Sequence, residues 1–395
     1  MKSPRNVIGP PVEGDDFYGR ERELLRLWNE ATLQHLVLAA PRRVGKTSLL
    51  MGFIGYAQTN GRRVVYVDVQ GADSELGFIE RMVKAFRDLP VGEVPATLKT
   101  RAANLLGRIE SLKAVMVEVK AKADERPLWR REGEELKEIL AGLAKAKGHG
   151  WFVLVDELPV LVKNLADSEG GARRADQFLS WCRELRLHTH GSNVRWVLCG
   201  SIGLVALANR LRLSHTINDL ALFRLDPFDE ATARAFLFAL ARTHQVAMDV
   251  ALADAIIERT GLLVPHHLQI VFHEVRVMRD PGDPRRWVEA AFTEAITKRG
   301  YFEPWYERLD DELNAADARH ARSMLEVCAK DPAGVSYATF SGSIADEVPD
   351  ARERQEAVLR LAHALRDDGY LEQVDEHWRF RSELLRAFWR RRYVP

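Results

Sequence analysis

The sequence has little cysteine, no net charge and no long apolar run, and each shortage removes a class of protein. Cys182, Cys199 and Cys328 are its three cysteines; they match no metal-ligand spacing and suit a reducing compartment. Lys plus Arg and Asp plus Glu both total 57, so no global basic field advertises nucleic acid. No stretch of roughly 18 uninterrupted apolar residues is present, which argues against a transmembrane helix. Met1-Lys2-Ser3-Pro4-Arg5-Asn6 lacks the apolar centre of a signal peptide. Internal repeats and long low-complexity tracts are missing as well. A cytoplasmic protein without membrane contact is therefore expected. The 395-residue chain, 46% apolar and 29% charged, is long enough for two or three domains.

Residues 1–15 read as an extended arm rich in proline and glycine. Residues 16–226 alternate strand and helix. An amphipathic helix follows Phe17-Tyr18-Gly19-Arg20, with Leu24, Leu25, Leu27 and Trp28 as its apolar face. Strands are expected at 35–39, 63–69, 151–155, 194–199 and 221–225, with helices between them. Residues 91–148 read as mostly helical, and 113–120 fit either a short strand or a helix. This alternation predicts an α/β fold: a parallel sheet covered on both faces. Residues 227–300 are all-helical, broken at Gly261 and at a turn over 280–284. Residues 301–395 read as helix, turn, polar segment, helix, two-stranded hairpin and a last helix, the order of a winged helix.

The most specific chemistry lies at Ala40-Pro41-Arg42-Arg43-Val44-Gly45-Lys46-Thr47-Ser48, directly after the apolar run Leu36-Val37-Leu38-Ala39. A strand running into such a loop and then a helix is a phosphate-binding loop. Its backbone N–H groups cradle phosphates, Lys46 reaches the β- and γ-phosphates, and the Thr47 hydroxyl holds Mg²⁺. The helix that follows aims the positive end of its dipole at the same anion. Ala40 stands where the pattern usually has glycine.

Asp156-Glu157 ends the apolar run Trp151-Phe152-Val153-Leu154-Val155. That is where a nucleotide hydrolase needs two carboxylates, Asp156 to complete the magnesium shell and Glu157 to polarise the attacking water. Ser201, just past the fourth strand, is either a sensor of the γ-phosphate and water or a turn residue. Phe17, Tyr18, Gly19 and Arg20 either fold over the base or staple the helix that follows. Pro265-His266-His267 opens a helix and is either near the nucleotide or structural.

Together with Val194 to Leu204, Gly261 to Gln269 and Trp378 to Leu385, these segments resemble the archaeal-type P-loop ATPases that lie between the AAA+ and STAND groups. The likeness spans most of the chain. It implies a P-loop NTPase core of AAA+ type, a helical lid over 227–300 and a C-terminal winged helix over 301–395. It also implies that Ser201 is a sensor and that Gly261 and Pro265 lie near the base. ATP or ADP with Mg²⁺ is the expected ligand, and an origin-recognition-like architecture the expected frame.

No arginine is assigned as a finger; Arg183, Arg210 and Arg212 are candidates, and turnover is expected to be slow without one. Three readings follow: an ATP-hydrolysing switch, an initiator-like DNA-binding ATPase, and an ADP-bound scaffold with little turnover. Partners are a nucleotide, a second copy, and a protein or DNA through the winged helix. The DNA reading is tempered by charge, because Tyr301 to Pro395 holds 14 Lys and Arg against 19 Asp and Glu, a net −5.

Overall fold

Five short, largely apolar strands form one parallel sheet in the computed structural model. The structure describes residues 2–90, 94–118, 126–145, 150–189, 192–200, 203–278 and 283–394. The chain divides into two compact units. One, the sheet unit, is Arg22–Ala40 with Leu50–Leu225; the other, the helical unit, is Met1–Glu21, Pro41–Leu49 and Asp226–Pro395. Among the described residues no helix is long and apolar enough to cross a membrane.

In chain order the first elements are α1 (Glu21–Leu33), β1 (Leu36–Ala39), α2 (Lys46–Thr59), β2 (Arg63–Asp68), α3 (Glu75–Asp88), α4 (Ala96–Glu118) and α5 (Arg126–Lys145). They continue with β3 (Trp151–Asp156), α6 (Leu158–Asp167), α7 (Gly171–His188), β4 (Val194–Cys199), α8 (Leu204–Arg210) and β5 (Ala221–Arg224). The strand order is β2-β3-β4-β1-β5. Leu36 of β1 lies opposite Val197 of β4 and Ala221 of β5, and Val155 of β3 opposite Val67 of β2 and Leu198 of β4. Ala39, Asp156 and Cys199 therefore end neighbouring strands on one carboxyl edge, where ligands of open α/β sheets bind.

Every residue of β3 is buried, as its unbroken apolar run requires. One face of the sheet unit closes on aromatic contacts, with Trp129 and Trp181 edge-to-face at 5.3 Å and Phe78 against Phe178 at 5.2 Å. Two sequence expectations change. Leu25 leaves the apolar face of α1 and is 46% exposed, because at about 100° per residue it points away from Leu24, Leu27, Trp28 and Ala31. The strand-or-helix alternative at 113–120 resolves to helix through Glu118; residues 119 and 120 lie outside the described residues.

The helical unit begins with the arm, irregular up to a single 3-10 turn at Gly14–Asp16. Its later helices are α9 (Glu230–His244), α10 (Val250–Thr260), α11 (Pro265–Met278), α12 (Pro284–Thr297) and α13 (Arg299–Glu312). Asp229 and Asp249 cap α9 and α10, accepting from Thr232 N at 2.7 Å and Leu252 N at 2.8 Å. Gly261 ends α10 at φ +67°, and Pro265 is the first residue of α11. The expected turn over 280–284 falls mostly outside the described residues.

Beyond α13 come α14 (Ala315–Lys330), β6 (Val335–Ser336), α15 (Tyr337–Ser343), α16 (Ala351–Asp367), β7 (Leu371–Val374), β8 (His377–Phe380) and α17 (Glu383–Tyr393). The three strands form an antiparallel sheet ordered β6-β8-β7. The polar segment after residue 334 holds β6 and α15. Ser336 caps α15 by accepting from Thr339 N at 3.3 Å, and Phe340 anchors it in the core.

Candidate functional site

The loop after β1 turns through two residues with positive φ, Arg43 at +64° and Gly45 at +99°. The second needs glycine, since side chains rarely adopt that backbone. Val44 between them is fully buried and pins the loop. Arg20, itself buried, donates from Nη2 to the Val44 carbonyl at 3.1 Å and lies 4.4 Å from the centre of the Phe228 ring. Arg20, in the segment expected either to fold over the base or to staple the helix, thus braces the loop backbone. Lys46 and Thr47 open α2 and are half-buried, and Leu49 N–H donates to the Gly45 carbonyl at 2.9 Å.

The arm lies along this loop within the helical unit. Val12 N–H donates to Ser48 Oγ at 3.0 Å, and Arg43 Nη1 donates to the Gly9 carbonyl at 3.3 Å. Phe17 is buried with the Lys2 ammonium 5.2 Å from its ring centre, and Tyr18 packs on Phe236 at 5.6 Å. Gly19, at φ +71°, passes so close to α9 that a Cβ would stand 2.7 Å from Thr232 Cγ2.

A cavity of about 470 Å³ is lined by Ile8, Gly9, Arg43, His266, Lys298 and Tyr301. Lys298 and Tyr301 are both bonded to buried Glu274, at 2.7 Å and 3.0 Å. His266 is 8% exposed, and its Nε2 has no hydrogen-bond partner among the described residues. Burial, then His267, Arg43 and Arg42, hold His266 well below the ordinary histidine range. Burial likewise brings His267 to about 4. Both rings are neutral at pH 7, so the charge facing this cavity comes from Arg43 and Lys298.

Pro41 and Arg42 face a different wall. The Arg42 guanidinium lies 5.6 Å from the Trp305 ring centre of α13, and a Cβ on Gly369, in the α16–β7 turn, would stand 3.3 Å from Pro41 Cβ. Tyr370 OH fixes that wall by donating to the Trp305 carbonyl at 2.6 Å. Burial and the like charge of Arg308 bring Arg42 down to about 10, only partly offset by Tyr370 and Asp368.

In the sheet unit, Asp156 is 6% exposed. Its Oδ1 accepts from Glu157 N–H at 2.9 Å and Cys199 Sγ at 3.0 Å, and its Oδ2 accepts from Tyr66 OH at 3.1 Å. Glu157 holds the left-handed conformation at φ +59°, strain of about 1–3 kcal/mol of the kind that clusters at functional sites. Gly200 is needed beside it, because a Cβ there would lie 2.4 Å from Pro159 Cδ. Ser201 lies outside the described residues. Sequence reasoning missed Tyr66 and Cys199. The tyrosine inside an apolar strand was the visible signal.

Of the finger candidates, Arg183 lies 3.7 Å from Asp219. The side chains of Arg210 and Arg212 are exposed and make no hydrogen bond or ion pair among the described residues, while Arg212 N–H, at φ +61°, donates to the Asn209 carbonyl at 3.0 Å. The arginines of the C-terminal module are mostly engaged. On α16, Arg360 is bidentate to Asp317 at 2.5 and 2.7 Å, Arg354 donates to the Val348 carbonyl at 2.8 Å, Arg366 pairs with Asp367 and Arg352 with Glu356. Arg379 pairs with Glu372 and Arg386 with Glu383, while Arg390, Arg391 and Arg392 at the chain end are exposed.

No protein-family model and no curated protein matches the sequence. Among solved structures the chain is similar to the Walker-type ATPase of Pyrococcus abyssi, with a TM-score of 0.62 at 16% identity over 98% of this chain and 99% of that one. It is also similar to the ORC2 protein of Aeropyrum pernix in its ADPNP–ADP complexes, with a TM-score of 0.52 at 12% identity over 98% and 96%. At such identities the likeness concerns the fold, and it shows an α/β P-loop ATPase fold of the AAA+ type.

Proposed function

We propose that the protein is an ATP-dependent switch that binds a nucleoside triphosphate with Mg²⁺ at Ala40 to Ser48 and hydrolyses it slowly. The backbone N–H groups of Arg42 to Gly45 and the start of α2 hold the phosphates, with Lys46 on the β- and γ-phosphates. The base and ribose take the cavity at Ile8, Gly9, Arg43 and His266, near Pro265. Phe17, Tyr18 and Gly19 set the arm, and Arg20 the loop. Thr47 hydroxyl and Asp156 carboxylate are each hard oxygen donors of the kind magnesium takes, and Asp156, held by three donors, fits such an ion by its own chemistry. Magnesium supplies charge neutralisation on the phosphates. Glu157 orients the attacking water, and Ser201 senses the γ-phosphate. Slow turnover is expected of the chain alone, because no arginine is assigned to the transition state and one is worth ~10³–10⁵ in rate. A second copy is the natural source of one.

One observation carries the switch reading: a single loop is attached at two places. Val44 to Thr47 form the phosphate cradle, while Pro41 and Arg42 seat against Trp305 and Gly369. Phosphates relieve the repulsion between Arg42 and Arg308, so nucleotide strengthens that seat and the seat strengthens nucleotide binding, as linkage requires. The C-terminal module, with the topology of a winged helix, is the output. The pairing of Arg360 and Arg354 on α16 with Asp317 and the Val348 carbonyl favours a protein partner over duplex DNA for this module.

Two variants test this. Lys46→Ala removes a charge-assisted contact worth about 1.5–3 kcal/mol, so ADP affinity measured by calorimetry should fall roughly 10- to 150-fold. Unchanged affinity would end the nucleotide assignment. In the wild type, ADP should slow amide exchange in α13 and the α16–β7 turn by about fivefold or more. Arg42→Ala should bind ADP yet lose that protection. If protection persists, the loop does not report to the module. Purified protein with tightly held ADP and no turnover would favour the scaffold reading instead.

A further inference from the structure

Asp156 is gripped from both neighbouring strands by side chains that a phosphate-loop pattern does not require. Tyr66 projects from β2 two residues before the strand end, and Asp68, the end residue, lies opposite Asp156. Cys199 is the residue of β4 that follows the Val155–Leu198 pair. Alternation along the strands therefore puts both side chains on the face that carries the Asp156 carboxylate.

A carboxylate has about four acceptor sites, two on each oxygen. Glu157 N–H and Cys199 Sγ together fill Oδ1, at 2.9 and 3.0 Å. Tyr66 OH takes one site on Oδ2 at 3.1 Å and leaves the other open among the described residues. A carboxylate oxygen only accepts, so the Tyr66 hydroxyl is the donor in this contact.

We propose that Tyr66 and Cys199 are positioning residues for magnesium: they lock the Asp156 carboxylate so that Oδ2 keeps one acceptor site turned to a metal-bound water. This rests on the nucleotide reading above and adds to it the two donors that hold the metal-side carboxylate. Such supporting donors are worth about 10- to 100-fold in metal affinity in metal sites generally. A tyrosine and cysteine present only to fill the sheet would affect stability without affecting metal binding.

The test separates the metal from the nucleotide. ADP affinity is measured by calorimetry in EDTA, and Mn²⁺ binding to the ADP complex by water-proton relaxation, for the wild type, Tyr66→Phe, Cys199→Ala and Cys199→Ser. Tyr66→Phe keeps the ring and removes only the donor. Its ADP affinity in EDTA should match wild type, while Mn²⁺ binds about 10- to 100-fold more weakly. Cys199→Ala should weaken Mn²⁺ in the same sense, and Cys199→Ser, which restores an O–H donor, should recover most of it. Unchanged Mn²⁺ affinity in both Tyr66→Phe and Cys199→Ala overturns the assignment. A parallel loss of metal-free ADP affinity also overturns it, by marking a structural role. Failure of the wild type to bind ADP in EDTA or with Mn²⁺ would be a different result: it removes the nucleotide site itself, and this inference with it.

Discussion

Glu157→Gln should cut ATP turnover by about 10²–10⁴-fold, the usual worth of a positioned acid–base group, while ADP binds as tightly as before. The change keeps the size of the side chain and removes the charge that, on the proposed reading, polarises the attacking water. It also spares the backbone, which matters at this position. Glu157 sits at φ +59° between β3 and α6, and its N–H donates to Asp156 Oδ1 at 2.9 Å. A left-handed residue at a strand end swings its side chain away from the strand direction, an arrangement maintained against about 1–3 kcal/mol of strain. Single-turnover hydrolysis beside an ADP titration checks this directly. Equal turnover in the two proteins would remove Glu157 from the chemistry and leave its strain without a functional account.

Arg186→Ala should destabilise the fold by about 3–5 kcal/mol without any nucleotide effect, because it leaves a carboxylate behind in the interior. Arg186 is 1% exposed. It is bidentate to Asp219 at 2.8 Å on both arms and also donates to the Thr216 carbonyl at 2.8 Å. Burial alone would raise the Asp219 carboxyl, but the hydrogen bonds and charge of Arg186 outweigh it and hold the group below its ordinary 3.8. The sign follows from linkage. A carboxyl depressed in the folded state contributes fully above pH 3.8, and the contribution is lost as pH falls through the lower folded value. Urea unfolding at pH 7 and at pH 3 measures both effects: the gap between wild type and Arg186→Ala should narrow at pH 3. A gap of equal size at both pH values would show that packing, not charge pairing, is what Arg186 supplies.

The legible part of this protein was the part set by neighbours in the chain. A short, mostly apolar run flanked by turn signals fits a buried strand, and all five strands of the sheet lie within a residue or so of where the runs place them. The loop at Ala40 to Ser48 was readable because its conformation depends on consecutive residues, glycine at Gly45 and a helix start at Lys46. Cap residues such as Asp229 and Asp249 act over three positions and are readable for the same reason.

Partners far apart in sequence were not readable. Arg20 belongs to a segment that reads either as a fold over the base or as a helix staple, and only packing decides that its guanidinium meets the Val44 carbonyl. On α16 the sequence does not say which carboxylate answers which arginine; in the fold Arg360 is claimed by Asp317, 43 residues away. Leu25 counts as apolar in any composition, but its angular position on α1 puts it in water.

By itself, then, the sequence determined that a strand would run through a glycine-bearing loop into a helix, and that two carboxylates would end a parallel strand. Those features follow from backbone geometry and hydrophobic periodicity, which act over a few residues. Only the tertiary structure decided that Tyr66 and Cys199 hold Asp156, and that Pro41 and Arg42 rest on Trp305 and Gly369. Those contacts join elements separated by tens to hundreds of residues. Their geometry is set by close packing and by the need to satisfy every buried polar group, which no local pattern encodes.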